Sequence, residues 1–146
     1  MSENNQQSAQ LSKLLNQQKR RLQQMLTTLA NELDAIKNRN GTLMVEISEQ
    51  KQLQLEAIRN ADAQFNNEET TQLIESDLEL QQLKQELTDL LEQCQTQNEV
   101  CYLTATQNQI AVEQVKNLLV GGTKNTTYND KGQTKSAGTL GKGIKA

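Results

Sequence analysis

The residue types that most often do chemistry are scarce in this sequence of 146 amino acids. It contains no histidine, which removes the usual general base and the commonest metal ligand. Cys94 and Cys101 are one heptad apart, which matches no zinc spacing. Seven helical residues rise by roughly 10 Å, which is too far for a disulfide between the two. We therefore expect reduced, packed thiols, no catalytic residue, no metal site and no cofactor.

Glycines, acids and lysines also lack a catalytic pattern. Gly138, Gly141 and Gly143 follow no predicted strand and precede no predicted helix, so a phosphate-binding loop lacks its context. The acidic residues are spread along helical surfaces, where solvated charge is their ordinary role. The lysines near the end of the chain have no interleaved aromatic residues, which argues against nucleic-acid binding. Together these features favour a protein that is not an enzyme and that acts through its surfaces.

The composition favours long, thin helical packing over a thick core. Hydrophobic residues make up 34% of the chain and aromatic residues 2%, and there is no proline. A seam between long helices needs only two or three apolar residues in every seven, which this composition can supply.

Charge is divided unevenly along the chain. Residues 121–146 contain five lysines and one aspartate, a net charge of +4, which leaves residues 1–120 at −7 of the total −3. No apolar run approaches the ~18 residues of a membrane span, and the N-terminus lacks a secretory signal pattern. We expect a cytoplasmic protein.

Apolar periodicity predicts three helices, over about residues 9–39, 42–66 and 71–120. Asn and Gly at residues 38–41 can end the first helix, and Thr42 is the expected cap of the second. The third helix would be roughly 75 Å long at ~1.5 Å per residue, too long to bury one face on itself. The predicted fold is all-α, an elongated antiparallel three-helix bundle or coiled coil with a long third helix. A disordered, basic tail is expected at 121–146.

The last part of the third helix is apolar around more of its circumference than one packing partner requires. Its four-three seam includes Ala111, Val115 and Leu118, whereas Ile110 and Val112 fall outside that seam. A surface that wide is suited to laying itself on another protein. The alternative is that this end packs on the first helix or on a second copy, as in a structural or adaptor coiled-coil protein that self-associates. Periodicity alone leaves both interpretations open.

Three segments carry a resemblance to a known family. Residues 47–58 (ISEQKQLQLEAI) are similar to a second-helix pattern I-x-E-E-K-x-x-L-L-x-x-L, and residues 97–118 are similar to the same family's third helix. Residues 127–134 (TYNDKGQT) match its element Y-x-x-x-G-Q-T after the last helix. On these segments the chain resembles the FlgN-type flagellar type III export chaperones.

The resemblance implies a function and two sites. Members hold the hook-associated (hook–filament junction) proteins in the cytoplasm and deliver them to the flagellar type III export gate. The resemblance implies a helical chaperone domain over residues 1–120. It also implies a gate-docking element in the tail that contacts the cytoplasmic domain of the gate protein FlhA. The implied client-binding residues are Ile110, Val112, Val115, Leu118 and Leu119, and the implied gate-docking residues are Tyr128, Gly132 and Gln133.

Overall fold

The computed structural model describes residues 2–120, and within that range the chain forms four helices and no strand. They are α1 (Ser2–Lys37), α2 (Gly41–Phe65), α3 (Glu68–Glu75) and α4 (Leu78–Val120). The predicted all-α bundle is confirmed, and α1 begins earlier than the expected start near residue 9. The predicted tail at 121–146 lies outside the described residues.

The expected third helix is divided in two, which is the main difference from the sequence-based prediction. The Ser76 backbone N–H donates to the Gln72 carbonyl (3.1 Å) and the Asp77 backbone N–H to the Ile74 carbonyl (3.2 Å), which closes α3. The Asp77 carboxylate then accepts hydrogen bonds from the backbone N–H groups of Glu79 (2.9 Å) and Leu80 (3.5 Å). Asp77 therefore acts as an N-cap, and α4 starts afresh at Leu78.

The turn between α1 and α2 also differs in its details from the expectation. Arg39, not a glycine, adopts the left-handed backbone conformation (φ 55°) after the last turn of α1. The Asn40 N–H donates to the Ala35 carbonyl (3.0 Å), and the Asn40 side chain accepts from the Leu43 N–H (3.2 Å). Asn40, rather than Thr42, is thus the cap of α2, and Gly41 is the first residue of that helix.

Helix α1 is the central element, because both α2 and α4 pack against it. Most of the core lies along this helix in two clusters. The larger cluster of buried residues contains Leu22, Met25, Leu29, Ile36, Cys94 and Cys101. The smaller one lies where α3 meets the start of α4 and contains Leu11, Leu15, Ile74 and Leu80. The bundle is therefore thin, in keeping with the low apolar content.

Candidate partner-binding surface

Three hydrogen bonds fix how α4 lies on α1. The thiols of Cys94 and Cys101 donate to the carbonyls of Leu22 (3.5 Å) and Leu29 (3.4 Å). The Asn108 side-chain amide donates to the carbonyl of Ile36 (2.8 Å). Each pair is separated by 72 residues in sequence. The two helices therefore run parallel, in a register that repeats every seven residues.

This register explains why the middle of α4 is polar on its buried side. Small thiol and amide side chains reach backbone carbonyls of α1 directly, which requires the two helices to approach closely. A larger apolar side chain at Cys94 or Cys101 would hold the helices apart. Burial raises the pKa of the Cys94 thiol. Burial first, and then the nearby Glu32 carboxylate, raise the pKa of Cys101 to about 11, against a slight lowering by Lys51. Both thiols stay protonated at neutral pH, as structural cysteines do.

Lys51 joins all three long helices. Its ammonium lies 3.2 Å from the carboxylate of Glu32 on α1 and also donates to the side-chain carbonyl of Asn98 on α4. The exposed fractions of the Lys51 and Glu32 side chains are only 22% and 14%. Sequence periodicity identified Lys51 only as a weak point in the seam of α2. Its role depends on α1 and α4, which the pattern of α2 alone does not specify.

Helix α4 continues past the end of the helix that covers it. The Ile36 carbonyl, which Asn108 contacts, is one residue from the end of α1 at Lys37. Residues 110–120 of α4 therefore extend about three turns, or ~16 Å, beyond α1. Among residues 2–120, Ala105 is the last residue of α4 that packs in either of the two hydrophobic clusters. We call residues 110–119 the α4 overhang.

The α4 overhang contains all five residues predicted to bind a client, and all five are exposed. The exposed fractions of these residues are 47% for Ile110, 50% for Val112, 54% for Val115, and 81% each for Leu118 and Leu119. The structure therefore brings them together on a surface that no described helix covers. The alternative that this end packs on α1 does not hold in this structure.

The five side chains do not share one face. Asn108 points at α1, and Val115 follows it by seven residues, so Val115 continues the α1-facing side. Val112 and Leu119 flank that side, as does Leu118. Ile110 follows Asn108 by two residues, which places it about 200° round the helix and away from that side. We therefore separate Ile110 from the other four.

The other predicted features are less informative. Tyr128, Gly132 and Gln133, predicted to dock on the export gate, lie outside the described residues. In residues 2–120 no group of three or more His, Cys, Asp or Glu side chains is placed to hold a metal ion. No helix in the described part of the chain is long and apolar enough to cross a membrane. Separately from the overhang, an open groove lies between α1 and α2 and is lined by residues such as Leu14, Arg21 and Phe65.

A thin helical bundle whose longest helix ends in an uncovered apolar segment is suited to binding another protein through a helix surface. Residues 1–136 match the protein family described as FlgN protein. The chain therefore belongs to the FlgN family, a family of flagellar export chaperones. No curated protein and no solved structure matches the chain.

Proposed function

We propose that this protein is a cytoplasmic, non-enzymatic chaperone that binds hook-associated proteins and delivers them to the flagellar type III export gate. Family membership supports the general role of an export chaperone. The observation that favours client binding at one place is the α4 overhang, where Leu118 and Leu119 are each 81% exposed. Two adjacent leucines that are this exposed are unfavourable in water, and covering them with another apolar surface would be favourable.

A division of labour between two sites follows from this proposal. The client covers Val112, Val115, Leu118 and Leu119. Tyr128, Gly132 and Gln133 dock on the cytoplasmic domain of FlhA. Tyr128 is the first aromatic residue that follows the overhang in the sequence. A single aromatic ring can contribute much of the binding energy of a small interface.

The client site is tested by calorimetric titration of the full chain with a hook-associated protein. Leu118→Asp combined with Leu119→Asp should weaken binding at least ~100-fold, because two charges would be buried without partners. The matched control is Leu53→Asp combined with Leu78→Asp, since these leucines are 68% and 76% exposed elsewhere on the bundle. The control should bind normally, and both variants should keep their helical circular dichroism.

The gate site is tested in the same preparation with Tyr128→Ala. This variant should keep its affinity for the client and lose affinity for the FlhA cytoplasmic domain, with Tyr128→Phe as the control for the hydroxyl group. Equal loss of both affinities would contradict two separate sites. If the unmodified chain binds no hook-associated protein and light scattering shows a stable oligomer, the self-associating coiled-coil protein is the better interpretation.

A further inference from the structure

We propose that two copies of this chain associate at the α3 end of the bundle, where the α3–α4 corner of each copy enters the α1–α2 groove of the other. The α3–α4 corner is residues 75–79, and the α1–α2 groove is the open one described above. Leu78 and Ile110 are 32 residues apart on α4, or about 48 Å. The contact therefore lies far from the overhang and does not depend on the proposed function.

The α3–α4 corner presents an apolar side chain that its own chain leaves uncovered. Leu78 is the first residue of α4 and is 76% exposed, whereas Leu80, two residues later, is 2% exposed and packs in the smaller core cluster. The Asp77 cap starts α4 at this point, so Leu78 points outward when Leu80 points into the core. Leu78 therefore projects from a hydrogen-bonded turn.

The α1–α2 groove offers an apolar surface for such a side chain. Its volume is about 400 Å³, and its apolar lining is Leu14 from α1 with Ala57, Ala61 and Phe65 from α2. The two alanines leave space that larger side chains would fill. Leu53, which is 68% exposed, precedes Ala57 by four residues and extends the apolar surface along α2. A groove this short and open accommodates a projecting side chain rather than a whole helix.

Cations border the α1 side of the groove. Arg21 is one of the residues that line it. Lys13 and Arg20 are exposed, and they lie four residues before and three residues after Gln17, which also lines the groove. Residues at those spacings are neighbours on the surface of a helix. Three positive charges therefore lie along this rim.

The α2 side of the groove does not cancel that charge. Glu56 precedes the lining residue Asn60 by four residues, so it borders the groove. Asp62 lies about 160° round α2 from the lining residue Gln64 and so faces away. Three cations and one acid thus border the groove, on a body whose net charge is −7. An occupant with acidic residues beside an apolar side chain complements this surface.

The α3–α4 corner carries that combination. Glu75 and Glu79 are exposed on either side of Leu78 in the sequence, and Asp77 lies between them. Residues 60–83 contain six acids and no lysine or arginine, so no cation of that segment neutralises them. The corner is therefore an apolar side chain among acids, and the groove is an apolar surface edged by cations.

A second copy is the occupant because this chain carries both halves of the contact. Leu78 is exposed, so one copy does not place its own corner in its own groove. Corner and groove lie at the same end of the bundle, since Leu80 packs with Leu11 and Leu15 and the groove begins at Leu14. A two-fold axis at that end brings each corner to the other copy's groove, which gives a closed dimer.

Sedimentation equilibrium of the full chain at low salt, over a range of concentrations, tests the dimer. The unmodified chain should form a weak dimer that added salt weakens further, because the contact is small and charged. Leu78→Asp should raise the dissociation constant at least ~10-fold, since the substitution acts twice in a two-fold dimer. Leu118→Asp is the matched control, because Leu118 is 81% exposed at the far end of α4, and it should dimerise normally.

Reciprocal charge reversal gives the sharper test. Lys13→Glu with Arg20→Glu makes the groove acidic, and Glu75→Lys with Glu79→Lys makes the corner basic. Each variant alone should dimerise at least ~10-fold more weakly, because like charges then meet at both contacts. An equal mixture of the two variants should recover the dimer, since both contacts of a mixed dimer join opposite charges. Loss of folding could not produce that recovery.

Lys37→Glu with Lys116→Glu makes the same change in net charge at exposed lysines near the other end of the bundle, and it should dimerise like the unmodified chain. A monomer at every concentration, equal weakening by this control, or no dimer in the mixture would overturn the inference. A dimer lost in Leu118→Asp and kept in Leu78→Asp would overturn it in favour of a contact at the overhang.

One further result would also overturn it. If Glu75→Lys with Glu79→Lys weakens association while Lys13→Glu with Arg20→Glu leaves it unchanged, the corner binds the basic residues 121–146 of another copy instead of the groove. Binding of a hook-associated protein to the overhang can succeed or fail without changing any of these results, so the two proposals are tested separately.

Discussion

At the scale of single residues, the bundle is held in register by polar groups at its seam. The thiols of Cys94 and Cys101 and the amide of Asn108 each donate to one α1 carbonyl. On the other side of α1, the Gln18 amide donates to the Ile58 carbonyl of α2 (2.9 Å), although Gln18 is only 4% exposed. A slip of either helix would leave these groups buried without partners, which costs more than the bonds themselves contribute.

The Lys51–Glu32 ion pair gives a prediction about stability. Lys51→Ala should lower the free energy of unfolding by about 1–2 kcal/mol, because it leaves the Glu32 carboxylate half-buried without its cation. Lys19→Ala is the matched control. The distance from Lys19 to Glu86 is shorter, 2.8 Å against 3.2 Å, but their side chains are 33% and 52% exposed. That exposed pair should contribute less than about 0.5 kcal/mol.

Urea unfolding followed by circular dichroism measures both variants. If Lys19→Ala costs as much as Lys51→Ala, distance rather than burial sets the strength of these pairs, and the joining role of Lys51 is contradicted. Glu32→Met combined with Lys51→Met should recover most of the free energy of unfolding that Lys51→Ala loses, since apolar side chains of similar size can replace a buried ion pair.

Sequence could predict only part of this residue-scale chemistry. The heptad position of Cys94 and Cys101 was enough to predict packed thiols, because buried cysteine is an ordinary small apolar residue. The contacts of Lys51 and Asn108 were not predictable in the same way. Each depends on which residue of a second helix lies opposite, and periodicity gives the face of a helix without giving its partner's register.

At the scale of helices, asparagine and aspartate decide where each element begins. Asn40, Asn67 and Asp77 each accept hydrogen bonds from backbone N–H groups at the start of the next helix. The predicted helix from about residue 71 to 120 is wrong at its start for this reason. The apolar spacing from Leu73 to Leu80 continues across the break, and it masks a Ser76-Asp77 pair of the type that ends one helix and caps another.

The capping role of Asp77 is testable by substitution. Asp77→Ala should lower the free energy of unfolding by about 1 kcal/mol, since two N–H groups at the start of α4 lose their acceptor. Asp77→Asn keeps an acceptor oxygen and should recover most of that loss. Asp62→Ala, which removes an exposed acid within α2, controls for the change in net charge. Thermal unfolding of the three variants checks the order, and a loss as large in Asp62→Ala as in Asp77→Ala would contradict the cap.

At the scale of the whole molecule, the important feature is a difference in length. Helices α1 and α4 are parallel and start at different levels, so α4 runs about three turns past α1. The sequence was sufficient to predict an all-α bundle and an apolar end of the last helix. It left open whether that end packs inside or stands clear, because the answer depends on the offset of 72 residues between the two helices. Only the structure supplies that offset.

The shape links the fold to the proposed function. A chaperone must bind its client and later release it, which favours a surface that stays folded when empty. The seam of α4 is anchored on α1 as far as Asn108, so the overhang is supported at its base. Beyond that point few buried contacts hold it, and its last turns are expected to open locally more often than the core.

Hydrogen–deuterium exchange of the full chain, with and without a bound hook-associated protein, tests the central claim most directly. Amides of residues 110–119 should exchange fast in the free protein and become protected in the complex. Amides of the core around Leu22 and Leu29 should change little, because those residues are buried in both states. Protection confined to the α1–α2 groove, around residues 57–65, with residues 110–119 unchanged, would contradict the account.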